Sequence, residues 1–255
     1  MKASVIAGFL GLVLVLLLVL GVNFSRSRSA GLGTFGQVTS EKLEFVLATN
    51  KTTFLVGEPV KVNFKLTNKS DQILTADFHL RFGLELLKLS IAQGDEPSTF
   101  YTSIVMKIAA TERRPSPKPV TLQPGQALET SEFVSFDVAR DQFAFPAEGS
   151  YKLKATLFFD AQDLSKKIES NVVEISVGWP TGKDQEALQF LLDNKLERFL
   201  TPEARFFDFD NNVVSKLKEF IKGFPSSTYT PFAQLGLAAL CEERPDLPAC
   251  KPPER

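Results

Sequence analysis

One histidine, two cysteines and a short acidic stretch are the side chains of this 255-residue chain with evident chemistry to offer. His79 is the sole imidazole, so any Ser-His-Asp arrangement must use it, and neither Ser nor Asp stands in a nucleophile elbow beside it. It is expected on the solvent face of a strand. Cys241 and Cys250 lie nine positions apart across a proline-containing segment. A structural bridge suits that spacing better than a redox centre, which more often uses Cys-x-x-Cys; two free thiols are the alternative. Two cysteines and one distant histidine fall short of the roughly four ligands of structural zinc. Asp208-Phe209-Asp210-Asn211-Asn212 gathers oxygen atoms but lacks the loop length, central Gly and terminal Glu of a calcium-binding EF-hand. Capping of a helix by Asp210, Asn211 or Asn212 is the expected use. No catalytic set, cofactor or metal is expected.

Composition narrows the partners. With 29 basic and 30 acidic residues the formal charge is −1, which gives no long-range attraction for nucleic acid, and nucleic acid is set aside as a partner. Phe is abundant, 23 against 3 Tyr and 1 Trp, and having no polar tip it points to core rather than to ligand-stacking surface.

The elements that must carry these residues read off in order. Val5 to Val22 is a run of 18 uncharged residues, about 27 Å long as a helix, enough for a bilayer. Segment 1–24 is therefore expected to be a transmembrane anchor, or a signal peptide with Val19 and Gly21 at the minus 3 and minus 1 positions of its cleavage site, with the uncleaved anchor preferred. Lys2 on one side and Arg26 and Arg28 on the other leave the orientation even. Segment 25–39 reads as a linker, rich in Ser, Gly and Arg.

From 40 to 178 apolar residues alternate in short runs between Pro and Gly turns, as in Val60, Val62, Phe64 and Leu66, in Leu74 to Phe82, in Phe100 to Ala109 and in Tyr151, Leu153, Ala155 and Leu157. Alternation is the mark of half-buried strands, here of an antiparallel β-sandwich. The segment 112–119 carries three prolines and a basic cluster, and is read as an exposed loop. From 183 to 241 the period changes to that of helices: Ala187, Leu188, Leu191 and Leu192; then Val213, Val214, Leu217, Phe220 and Ile221; then Phe232, Leu235, Ala238 and Ala239. Thr181 or Asp184 is the expected cap of the first. Segment 242–255 is a tail closed by the disulfide. The fold class so read is mainly β with an α tail.

Gly57-Glu58-Pro59-Val60, Leu122-Gln123-Pro124-Gly125 and Gly149-Ser150-Tyr151-Lys152-Leu153 resemble immunoglobulin-like or fibronectin-like modules of bacterial surface and periplasmic proteins. The resemblance implies an immunoglobulin-like sandwich with Tyr151 as its tyrosine corner, bonding back to nearby backbone. It carries no binding residues, and the Cys-Trp-Cys core of antibody domains is absent, Trp179 following the last strand. Ser226 to Ala238 is similar to half of a tetratricopeptide-like hairpin, as a single partial unit.

With no converging acids and bases in view, the expected function is non-enzymatic: a protein–protein interaction or structural module on the extracytoplasmic side of a membrane. The chain would be a single-pass inner-membrane protein with its globular part in the periplasm, or secreted if cleaved, and would meet a protein partner near the membrane. Arg113, Arg114, Lys118, Trp179 and Tyr229 are the candidate interaction surface. Nothing sets an oligomeric state. The alternatives are a lipid- or glycan-binding module, with a slot between sandwich and helices lined by Trp179 and several Phe, and a hydrolase using Asp208 or Asp210 with a sandwich carboxylate.

Overall fold

The computed structural model describes residues 38–82, 86–105, 118–160 and 162–251. The run Val5–Val22, nearly all of the linker, Arg113 and Arg114 lie outside them. Among the described residues no helix is long and apolar enough to cross a membrane.

Among the described residues, twelve strands form four sheets. The first larger sheet has the order β1 (Leu43–Thr49), β3 (Val60–Asn68), β8 (Ala127–Val134). The second runs β2 (Thr53–Leu55), β12 (Lys167–Gly178), β11 (Gly149–Phe158), β5 (Leu87–Gln93), β6 (Thr99–Phe100). Two small ribbons pair β4 (Leu74–Ala76) with β7 (Val120–Leu122) and β9 (Phe136–Asp137) with β10 (Gln142–Phe143). The whole is a mixed α and β domain, and none of its sheets closes into a barrel.

Alternation decides what is buried. Val60, Val62, Phe64 and Leu66 of β3, and Tyr151, Leu153, Ala155 and Leu157 of β11, point into one core, while Lys61, Lys65 and Lys152 point out. Burying a Leu or Phe side chain contributes about 1.5–3 kcal/mol each, so these strands hold their register strongly.

Three expectations are corrected in the β region. The sheets are not antiparallel throughout, because β2 pairs in parallel with the end of β12. The backbone then turns into β3 through Gly57, at φ +77°, where an added Cβ would stand 2.8 Å from the Phe143 ring. The strand expected over Leu74–Phe82 stops at Ala76; Phe78, Leu80 and Phe82 stay buried without ladder bonds. The strand expected from Phe100 ends there, because Tyr101 sinks into the core and residues 104 and 105 are helical.

Three helices follow: α1 (Gly182–Asp193), α2 (Asn211–Gly223) and α3 (Thr230–Glu243). Their buried residues Ala187, Leu188, Leu191, Val214, Leu217, Phe220, Ala233 and Leu240 join the same core as the sheets. Neither expected residue caps α1: Thr181 makes no side-chain cap bond, and Asp184 accepts hydrogen bonds from Ser227 Oγ at 2.7 Å, Thr228 N at 2.8 Å and Thr228 Oγ1 at 2.7 Å. Asp184 thereby ties α1 to the turn before α3.

The inward face of α3 also differs from its periodicity. Ala233, Gly236, Ala239 and Leu240 face inward, and Leu235 is 43% exposed. Gly236 is the reason, since a Cβ there would lie 1.8 Å from the Phe199 carbonyl oxygen, and only glycine lets the helix close onto that backbone. Cys241 and Cys250 form a disulfide, and Ala249 N donates to Asn211 Oδ1 at 2.7 Å, which fastens the tail to the start of α2.

Candidate active site

Strand β8 places a carboxylate where a core residue would be expected. Leu128, Thr130, Glu132 and Val134 stand opposite Leu66, Phe64, Val62 and Val60 of β3, so Glu132 falls in the inward register beside the fully buried Val134. β8 pairs with β3 alone among the described strands, no described strand covers its other edge, and Glu132 is half-buried rather than sealed in.

The second carboxylate comes from the helical part. Thr201 is buried and opens a short 3-10 turn, Pro202–Phe206, with Pro202 at its first position. Glu203 N donates to Thr201 Oγ1 at 3.4 Å, and the same hydroxyl donates to Glu203 Oε2, which fixes the carboxylate against its own turn. That turn packs against α3.

The two acids meet. Glu132 and Glu203 both line an open cleft of about 590 Å³, with Arg81, Arg205, Phe206 and Leu235 among its other walls. Both also line a smaller hollow with Tyr101 and Thr201, of about 10 Å³, which is room for about one water molecule. Burial, and then the negative charge of Glu203, push the Glu132 carboxyl up to about 7 against the opposing charge of Arg81. Tyr101 is pushed up strongly, by burial first and then by the charges of Glu203 and Asp137.

The residues singled out from the sequence lie elsewhere. Asp210 caps α2, its Oδ1 accepting from Val213 N at 3.0 Å, and neither Asp208 nor Asp210 lines the cleft. Tyr229 is not a surface residue: it is fully buried, and its hydroxyl donates to the Val56 carbonyl at 2.6 Å. Trp179 is 52% exposed and lines neither cavity, so the expected Trp179 slot is replaced by one with walls of Glu132, Glu203, Phe206 and Leu235. Lys118 is exposed. His79 is half-buried instead of lying on a solvent face, because its segment leaves the ladder. Among the described residues no group of three or more His, Cys, Asp or Glu could hold a metal ion.

No protein family and no curated protein matches the chain in sequence. Solved structures do resemble it weakly. A β-glucosidase from Erythrobacter marinus has TM-score 0.30 and 11% identity over 53% of this chain and 15% of its own. A β-glucosidase from Listeria innocua in complex with glucose has TM-score 0.30 and 14% identity over 55% and 17%. The sporulation control protein of Bacillus subtilis has TM-score 0.31 and 11% identity over 60% and 56%. The matched part is thus about a sixth of each glucosidase, and likenesses this low carry no activity across.

The expectation of a non-enzymatic interaction or structural module is nevertheless corrected. It rested on the absence of converging acids and bases, whereas Glu132 and Glu203 converge in a cleft.

Proposed function

We propose that the cleft binds a glycan and that Glu132 and Glu203 hydrolyse a glycosidic bond in it. The observation that carries this is the shared lining: two carboxylates from separate elements border both an open cleft and a hollow with room for about one water. Inverting hydrolysis needs that arrangement, one acid protonated and one carboxylate beside a water. Glu132, held up to about 7, gives its proton to the leaving oxygen as the C–O bond breaks. Glu203 takes a proton from the water whose oxygen bonds to the anomeric carbon. Arg81, Arg205 and Ser131 match a sugar's hydroxyl edge, and Phe206 and Leu235 its apolar face.

The test is release of reducing ends or nitrophenol by the full chain from a panel of polysaccharides and aryl glycosides. E132Q and E203Q should each lower the rate by about 10²- to 10⁴-fold. Because Glu132 acts protonated, the rate should fall as pH rises through about 7, and E132Q should lose that limb. Variants turning over at the unaltered rate, or no release from any substrate, would overturn the reading.

The finer fold and the location go with it as proposals. An immunoglobulin-like packing of the two larger sheets is supported by Tyr151, whose hydroxyl donates to the Ala147 carbonyl at 2.8 Å and accepts from Ala147 N at 3.3 Å. An extracytoplasmic location, with the membrane engaged through segment 1–24, is supported by the apolar run Val5–Val22 and by the Cys241–Cys250 bridge. Intact-mass measurement of the chain from its native membrane checks the second.

A further inference from the structure

The carboxylate cleft does not end at Glu132. A second hollow of about 200 Å³ lies along β8, lined by Phe78, His79, Leu128 and Glu129 and sharing Arg81 and Thr130 with the first. Its floor is supplied by Phe78, which is fully buried although its segment makes no ladder. The path follows the edge of β8 that no described strand covers.

His79 gives this second hollow a chemical character. Its Nε2 is shielded from solvent and has no hydrogen-bond partner among the described residues. Leaving a buried polar atom unmatched costs about 1–3 kcal/mol, a cost that a hydrogen bond to a ligand hydroxyl would remove. Burial pushes the imidazole below its usual pKa against the opposing charge of Asp77, so the ring is neutral at pH 7 and can both donate and accept. Thr130 contributes a hydroxyl and Arg81 an exposed guanidinium, both at the junction of the two hollows.

We propose that this second hollow is a subsite for the next sugar unit of a linear glycan, held by its hydroxyls on His79, Arg81 and Thr130, so that cleavage falls within a polymer rather than at its end. The inference rests on the hydrolytic reading of Glu132 and Glu203 and adds the substrate class. Binding energy from a remote sugar raises turnover as well as affinity when it is used to position the scissile bond.

The test is kcat/KM of the full chain on cello-, xylo-, chito- and malto-oligosaccharides of two to six units. In the series that is cleaved, kcat/KM should rise at least tenfold between two and four units, and early products should be of mixed length. Equal kcat/KM at all lengths, or single-unit release from one end, overturns the subsite. H79Q should lower kcat/KM on four units at least fivefold more than on two; equal loss on both overturns the role of His79, and a melting curve separates it from misfolding. If no series is cleaved, the hydrolytic reading fails and calorimetric binding decides: tighter binding of four units than of two keeps the subsite, and equal or no binding overturns it.

Discussion

Glu132 and Asp184 are both half-buried carboxylates, and their surroundings give them opposite properties. Asp184 accepts three hydrogen bonds from Ser227 and Thr228. Burial pushes its pKa up, but those donors more than offset it and hold the carboxyl below its usual range. The Glu132 side chain accepts no hydrogen bond from a described residue and faces a second carboxylate, so burial and Glu203 act together to raise it. Partial burial alone therefore does not mark a reactive acid. What separates the two is whether described residues supply donors for the ionised form, as they do where α1 is tied to the turn before α3 and do not at the edge of β8 that no described strand covers.

The largest effect that tests this contrast is on stability. D184A leaves the Ser227 and Thr228 donors without their acceptor, and about 2–3 kcal/mol should be lost at pH 7 in urea unfolding, with glycan turnover by the remaining folded protein unchanged. A loss below about 0.5 kcal/mol would show that the tie between α1 and the α3 turn is not structural. Removing the charge of Glu132 should act with the opposite sign. That side chain binds its proton more tightly folded than unfolded, so its stability contribution is complete below the usual 4.5 and is lost as pH rises through about 7. Allowing for solvent screening, the unaltered chain should lose roughly 1–2 kcal/mol between pH 5 and 8 through this group. E132Q should flatten that decline; an identical pH dependence in E132Q would mean that Glu132 is not perturbed. Asp184, with its depressed pKa, contributes above the usual 3.8 and is lost only as pH falls below it, so the two groups act in separate pH windows.

Much of the scaffold was legible because local rules carried it. Alternation located β3 and β11, helical period located α1, α2 and α3, and spacing suggested the Cys241–Cys250 bridge. The rest depended on contacts between distant segments. The face of α3 is set by Gly236 against the Phe199 carbonyl, which no periodicity within the helix reveals. The site has one faint trace in the chain: reading Leu128, Thr130, Glu132 and Val134 as one face shows a carboxylate in an apolar phase. Thr201-Pro202-Glu203 marks a turn start, but nothing local pairs Glu203 with a strand so far upstream. His79 was placed on a solvent face by extending alternation past Ala76, where the ladder stops.

Asp208 and Asp210 provide the smallest and sharpest test, since they are acids two positions apart whose proximity comes from sequence, whereas Glu132 and Glu203 are brought together only by folding. Asp210 Oδ1 already accepts from Val213 N at 3.0 Å, in the position from which an N-cap satisfies one of the open amides of a helix start. D210A should therefore cost about 1 kcal/mol, seen as a lower urea midpoint with unchanged slope, and should leave kcat on the cleaved oligosaccharide within about twofold. Asn211, which holds Ala249 N, is untouched by that change, so the tail should stay docked. A loss of turnover on the order of 10²-fold in D210A with its unfolding curve intact would transfer the acid role from the cleft to the start of α2, and with it the assignment of Glu132.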